Sequence, residues 1–315
     1  MNSVVLGIGS ALPRKCVSND ELASFLDTSD EWIVTRTGIK QRYVASDDET
    51  TASLATEAAK EALAMAKISP QDVDLLVLAT VTGDYTFPST ATIVQKNLGI
   101  KKTTAFDVSA ACSGFIYAMD VADSSIKLGK SRCALVIGAE TFSRVLDWSD
   151  RSTCVLFGDG SGAMVLGAED SDRGLQSCII YSDGDGVEYL KTNGGVSTTK
   201  TTGFVKMDGR EVFRFAVEKL QEVMTELLCL HSMTIDDVDL IVPHQANIRI
   251  IEKLVDHFKI PREKILTTIQ KHANTSAASI PLSIAELGTG IFSKKNVVLL
   301  SVGAGFTWGA ALLRF

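Results

Sequence analysis

The chain has 315 residues, 45% of them hydrophobic, with 38 acidic residues against 31 Lys and Arg and a formal net charge of −7. That length allows one large domain or two smaller ones with a sizeable core, and the acidic balance argues against a general affinity for nucleic acid or an anionic membrane. No apolar run reaches the ~18 residues of a membrane span, and Met1-Asn2-Ser3-Val4-Val5-Leu6-Gly7 lacks the basic start and apolar length of a secretory signal.

Near the start, Thr28-Ser29-Asp30-Glu31 reads as a capping box opening a helix that Gly38 ends. Trp32 and Arg36 share one face of it. They suit stacking on a purine and pairing with phosphate, and equally suit a Trp packed on the body beside a solvated Arg. Leu54, Ala58, Ala62 and Met65 then recur with helical spacing. Asp72-Val73-Asp74-Leu75-Leu76-Val77 reads as a buried strand, followed by a helix ending near Asn97-Leu98-Gly99-Ile100. Thr104-Ala105-Phe106-Asp107-Val108 is the next strand, and Ala134-Leu135-Val136-Ile137-Gly138 another.

The same order then returns. A helical pattern from Val212 to Leu227 precedes Asp237-Val238-Asp239-Leu240-Ile241-Val242, a near copy of the first hexapeptide. A helix carrying Ile248, Ile251, Leu254, Val255 and Phe258 follows, then Ile265-Leu266-Thr267-Thr268-Ile269, and finally Val297-Val298-Leu299-Leu300-Ser301-Val302-Gly303. Two similar α/β halves, residues 1–170 and 171–315, are therefore expected, with largely parallel sheets and helices on their faces. Aligning the halves sets Cys112 opposite Asn274, and a pseudo-twofold axis would bring equivalent strand ends to one cleft.

Six cysteines stand singly, with no Cys-x-x-Cys pair, and only four histidines occur. Neither a disulfide scaffold nor a metal site is expected, and a reducing, cytoplasmic setting fits. In Ala105-Phe106-Asp107-Val108-Ser109-Ala110-Ala111-Cys112-Ser113-Gly114-Phe115 a strand enters a small-residue turn, and a helix starts around Ser113. The thiol of Cys112 then lies at a helix N-terminus, where the macrodipole favours thiolate. Pro243-His244-Gln245-Ala246-Asn247 puts His244 at a strand's carboxyl end. His272-Ala273-Asn274-Thr275-Ser276-Ala277-Ala278-Ser279 supplies a carboxamide in a segment that also reads as a turn and helix cap. Any one of these fits a structural role; together, Cys112, His244 and Asn274 point to catalysis. Gly303-Ala304-Gly305-Phe306-Thr307-Trp308-Gly309 fits either an oxyanion-binding turn or a close-packed strand end. Phe157-Gly158-Asp159-Gly160-Ser161-Gly162-Ala163 looks like a phosphate loop but lacks its lysine, and reads as tight backbone packing.

These motifs, with Thr28 to Gly38, resemble β-ketoacyl-acyl carrier protein synthase III over essentially the whole chain. The resemblance implies a thiolase-like fold of two duplicated halves in αβαβα layers, and a homodimer without cofactor. The implied reaction joins a short acyl-CoA, usually acetyl-CoA, to malonyl-acyl carrier protein, giving 3-oxoacyl-acyl carrier protein, CO₂ and CoA. Cys112 would carry the acyl group, His244 and Asn274 would stabilise the enolate, and N–H groups of Cys112 and Ala304 would form an oxyanion hole. Trp32 and Arg151 would sandwich the adenine of CoA, with Arg36 near its phosphates. Phe142 and Phe157 would line the acyl pocket, and Phe87 would close the partner's. Arg214 and Arg249, with Lys253 one turn on, would dock the acidic carrier protein.

Ala273 and Ala304 stand where relatives carry Gly, which would narrow the site or shift the oxyanion donors slightly, and Asp256 and His257 stand where some carry Lys, which would weaken or re-aim carrier docking. A degradative thiolase would need a second cysteine near the C-terminal turn, and none lies between Cys229 and Phe315. A starter-condensing enzyme for a specialised product shares the same three residues. A non-catalytic acyl-binding subunit would not be expected to keep all three.

Overall fold

A computed structural model of the chain describes all residues from Met1 to Phe315. The first half runs β1 (Asn2–Ala11), β2 (Lys15–Ser18), α1 (Asn19–Ala23), α2 (Asp30–Thr37), β3 (Gln41–Val44), α3 (Thr51–Ala66), β4 (Leu75–Ala79), α4 (Thr90–Asn97), β5 (Thr104–Val108), α5 (Gly114–Lys127), β6 (Cys133–Glu140) and β7 (Gly160–Glu169). The second runs β8 (Gly174–Ser182), β9 (Leu190–Thr192), β10 (Val205–Met207), α6 (Gly209–Leu230), β11 (Leu240–Pro243), α7 (Ile248–Phe258), α8 (Ile269–His272), α9 (Ser279–Ala285), β12 (Asn296–Gly303) and β13 (Thr307–Arg314).

The duplication is visible in the sheets. One has the order β1-β7-β6-β4-β5 and the other β8-β13-β12-β11, so each strand of the second has a counterpart in the first. The repeated hexapeptide explains itself locally. Its second aspartate does the same job in each half: Asp74 accepts the N–H of Arg132 at 2.8 Å, and Asp239 those of Lys295 and Asn296 at 2.8 Å. Each carboxylate thereby fastens the start of the neighbouring strand.

Two expectations need correction. The sheets are mixed, not largely parallel: β4 runs parallel to β5 and β6, whereas β7 is antiparallel to both β1 and β6. β12 and β13 are joined by a short turn, which forces an antiparallel hairpin. The segment Ile265 to Ile269 is no strand but a single parallel bridge from Ile265 to Ile241. Beyond it the Gln245 carboxamide oxygen takes the N–H groups of Thr268 and Ile269, ending the ladder there.

Strand alternation builds the layers. Leu75, Val77 and Ala79 face one core while Leu76 and Leu78 face another, and Val297 and Leu299 alternate likewise with Val298 and Leu300. The central core collects α5 and α9 between the two sheets; α3 and α4 cover the first sheet outside, α6 and α7 the second. The result is a five-layer αβαβα stack. A separate cluster of Val17, Ile33, Phe142, Phe157 and Ile269 lies under α1, α2 and β3.

Close approach of α9 to the first sheet demands glycine at β6. A Cβ on Gly138 would stand 2.3 Å from the carbonyl oxygen of Ala277. Only backbone surrounds it, so nothing flexible can give way. Gly138→Ala should therefore destabilise the fold by about 2 kcal/mol or more, read as a lowered denaturant midpoint; an unchanged midpoint would mean the turn before α9 shifts freely.

Candidate active site

β5 delivers the chain to Ala111, which takes the left-handed conformation at φ 47°. A 3₁₀ turn over Ala111–Ser113 then leads directly into α5, as the run of small residues leads one to expect. The C-terminal hairpin is fastened to this turn. Ser301 Oγ donates to the carbonyl of Cys112 at 2.8 Å, Thr307 Oγ1 to that of Ala110 at 2.9 Å, and Ser113 Oγ to that of Thr307 at 3.0 Å. The second half repeats the device at Ser276, φ 51°, with a 3₁₀ turn over Ser276–Ala278 before α9. Aligned on these left-handed residues, Cys112 is the counterpart of Ala277, not of Asn274. Asn274 lies two residues upstream of its turn.

Cys112, His244 and Asn274 nevertheless meet. All three line one cavity of ≈ 150 Å³, walled by Met207, Phe213, Ile250 and Phe306 among others. His244 is buried at the end of β11, and burial lowers its pKa to about 3, so the imidazole is neutral. Its Nδ1 lies 2.6 Å from Ser279 Oγ. Asn274 Oδ1 accepts the N–H of Ser276 at 2.8 Å, which orients the carboxamide and leaves the Nδ2 group without a partner in the protein. At Cys112 the helix start and burial oppose each other. Burial raises the thiol to about 12, opposed by a hydrogen bond from the side chain of Ser276.

Gly303 packs against this turn so closely that a Cβ there would lie 2.7 Å from the Cys112 nitrogen. Glycine thus leaves that N–H uncovered, and Ala304 follows it in the same turn. A second, mostly apolar cavity of ≈ 230 Å³ also borders Cys112, lined by Phe142, Phe157, Val145, Val205, Leu190 and Ala304. Phe142 and Phe157 stack at 4.3 Å between centroids. The methyl of Ala304 occupies part of this lining. Ala273 adopts φ 58°, a conformation that favours glycine, so its methyl is held under strain beside Asn274.

Around the rim, Trp32 is half-buried on α2, with the Arg36 guanidinium 4.8 Å and that of Arg151 5.4 Å from its ring centroid. The cap of this helix is Ser29, accepting from the N–H of Trp32, and not the Thr28–Glu31 box; Gly38 ends it at φ 79° as expected. Arg249 lies over Phe213, 5.5 Å from a ring that lines the first cavity. Arg214, next to Phe213 in the chain, is paired with Glu211 at 2.8 Å, and Lys253 is exposed one turn along α7. His257 borders an acidic patch of Glu218, Glu222 and Glu226. Phe87 sits apart from both cavities on a surface loop, 84% exposed in the single chain. The glycine run from Gly158 to Gly162 is close packing: a Cβ on Gly162 would meet the nitrogen of Leu282 at 2.5 Å. No group of three His, Cys, Asp or Glu side chains is arranged to hold a metal ion, and no helix is long and apolar enough to cross a membrane.

The two halves of the site coincide with two family models. Residues 106–184 match 3-oxoacyl-[acyl-carrier-protein (ACP)] synthase III, and residues 228–315 match its C-terminal model. The β-ketoacyl-[acyl-carrier-protein] synthase III of Rhizorhabdus wittichii is 54% identical over 316 residues, covering 99% of each chain. That of Wolbachia pipientis wMel is also 54% identical, again over 99% of both. The chain belongs to the 3-oxoacyl-[acyl-carrier-protein] synthase III family. The crystal structure of the synthase III from Aquifex aeolicus VF5 superposes with a TM-score of 0.94 at 46% identity, covering 99% of this chain and all of that one. The fold is thiolase-like, and the protein is a condensing enzyme of the acyl-transfer type.

This synthase-family site contains one acid that inspection of motifs passes over. Glu140, fully buried at the end of β6, accepts from the Val81 N–H and Thr80 Oγ1 at 3.2 Å, from Thr82 Oγ1, and from Ser276 Oγ at 3.1 Å. Burial outweighs these donors and raises the carboxyl from 4.5 to about 7. Its signal in sequence is an acidic residue closing an otherwise apolar strand, Cys133 to Glu140. A raised folded pKa means that the native state keeps a proton the unfolded chain has lost. The stabilisation is complete below about pH 4.5 and disappears as pH rises to 7. Glu140→Gln should remove this dependence, changing the slope of unfolding free energy between those pH values by up to ~1.4 kcal/mol per unit; parallel wild-type and variant curves would contradict it.

Proposed function

We propose that the protein condenses a short acyl-CoA, acetyl-CoA foremost, with malonyl-acyl carrier protein. The products are 3-oxoacyl-acyl carrier protein, CO₂ and CoA, and the step opens type II fatty acid synthesis. The observation that carries this reading is a single cavity holding a thiol, a neutral imidazole and an oriented carboxamide.

Cys112 Sγ attacks the acyl-CoA carbonyl, and the CoA sulfur leaves with the thiol proton, so the exchange is neutral overall. The tetrahedral oxyanion is held by the N–H groups of Cys112 and Ala304. The malonyl thioester oxygen then lies between His244 and Asn274. Loss of CO₂ places enolate charge on that oxygen, where two neutral donors stabilise it without a strong base. One such donor is typically worth ~3 kcal/mol of barrier. The enolate carbon attacks acyl-Cys112 and expels the thiolate, which takes up a proton to restore the resting thiol.

The rim supports the choice of substrates. Trp32 with Arg36 and Arg151 suits the adenine and phosphates of CoA, an aromatic base replacing one cation on the Trp face. Arg249 and Lys253, with Arg214, suit an acidic carrier protein, although Glu211 already neutralises part of that surface. Exposed Phe87 suits a homodimer in which it closes the partner's acyl pocket. The reaction needs no cofactor beyond its CoA thioester.

Incubation with acetyl-CoA should add one acetyl group at Cys112, seen by mass spectrometry of the cysteine-containing peptide and lost in Cys112→Ala. No adduct with any acyl-CoA would favour a non-catalytic acyl-binding subunit. The stacked Phe142 and Phe157, with the Ala304 methyl, close the acyl cavity to long chains. In a panel of acyl-CoAs with malonyl-acyl carrier protein, acetyl-CoA should therefore turn over faster than octanoyl-CoA. The reverse order would refute that preference.

A further inference from the structure

His244 can donate to a thioester oxygen only if the proton of its neutral imidazole sits on the nitrogen facing the cavity. What decides this is the group at the other nitrogen. That group is Ser279 Oγ, 2.6 Å from Nδ1, on the first residue of α9 and 2% exposed.

A hydroxyl has one proton to give and two lone pairs to accept with. Ser279 Oγ already accepts the N–H of Gln245, at 3.4 Å, and that N–H has no other partner. The only acceptor within reach of the Ser279 proton is His244 Nδ1. If Nδ1 carried the imidazole proton instead, the Ser279 hydroxyl would be buried with nowhere to donate, an unmet hydrogen bond that disfavours that tautomer. We propose that Ser279 is a positioning residue that donates to Nδ1 of His244 and so fixes the tautomer whose proton lies on Nε2, toward the cavity.

The surroundings hold Ser279 in this role. Ser283 Oγ donates to the carbonyl of Ser279 at 2.7 Å, and Thr268 Oγ1 lies 2.7 Å from Ser283 Oγ. Since Ser283 has spent its one proton, Thr268 is the donor in that pair. Gln245 is equally committed: its Nε2 donates to the carbonyls of Pro243 and Leu266, and its Oε1 accepts from Thr268 and Ile269. These bonds hold the backbone around Ser279 in place, and none of these groups offers its hydroxyl another acceptor. A carboxylate or backbone carbonyl at that position would select the opposite tautomer, because neither can donate. Burial keeps the imidazole uncharged near neutral pH, so only the two neutral tautomers compete.

This assignment rests on the role given to His244 above, but its test does not. In protein labelled with ¹⁵N-histidine at pH 7, the His244 ring nitrogens should show protonated Nε2 and unprotonated Nδ1. Ser279→Ala should mix the tautomers, whereas Ser279→Thr, which keeps the hydroxyl, should preserve the wild-type pattern. In turnover, Ser279→Ala should slow decarboxylation of malonyl-acyl carrier protein at least about tenfold, while acetylation of Cys112 stays within about twofold. A wild-type spectrum with the proton on Nδ1 overturns the proposal, as does a Ser279→Ala protein with unchanged tautomer and decarboxylation. A wild-type protein that shows the Nε2–H tautomer but no decarboxylation would leave Ser279 in place and count against the condensing reaction instead.

Discussion

The contact between the turn before α5 and the turn before α9 makes one site out of two halves. Each helix begins with a left-handed residue and a 3₁₀ turn, and the two turns pack against each other across the centre of the αβαβα stack. A Cβ on Gly114 would lie 3.5 Å from that of Ala277, and Gly138 admits the Ala277 carbonyl only because it has no side chain. This packing explains why both motifs are runs of Ala, Ser, Cys and Gly. It also aims two helix N-termini at the same region, a setting that favours negative charge.

The same burial that permits this contact sets the charge state. Desolvation raises the thiol of Cys112 and the carboxyl of Glu140, and lowers the imidazole of His244. Each shift disfavours an ion at or beside the cavity. At the sulfur the helix start, worth up to ~2 kcal/mol in favourable geometries, works against this desolvation. Sequence position reveals the dipole that favours a thiolate but not the depth of burial that opposes it.

Much of the architecture was legible because it depends on period and repetition. Alternation along β4 and β12, helical spacing in α3, α6 and α7, and the doubled hexapeptide each follow from local patterning. Convergence of Cys112, His244 and Asn274 could be anticipated from strand ends, but the pairing of Cys112 with Asn274 could not be right. Positive φ at Ala111 and Ser276 fixes the true register, and nothing in an alanine or a serine announces that conformation. The strand foreseen at Ile265 failed for a related reason: a side chain, Gln245, replaces the ladder. Glu140, Gln245 and Ser279 went unremarked since each is an ordinary residue in an ordinary element until its partners are known.

The repeat also shows how a symmetric scaffold acquires an asymmetric site. With Asp74 matched to Asp239, Ala79 at the end of β4 is the counterpart of His244. With Ala111 matched to Ser276, Gly114 is the counterpart of Ser279. In the first half this pair is a packing contact, a Cβ on Gly114 lying 3.0 Å from the methyl of Ala79. In the second half the same two backbone positions carry an imidazole and the hydroxyl that meets it at 2.6 Å. The helix-on-strand-end geometry is thus inherited, and only the groups placed on it differ. One half uses its turn to place a thiol in the cavity, and the other uses the equivalent turn to set a hydroxyl against the imidazole. Because both arrangements rest on the same close approach, the spacing between sulfur, imidazole and carboxamide is set by the core and not by the loops at the rim.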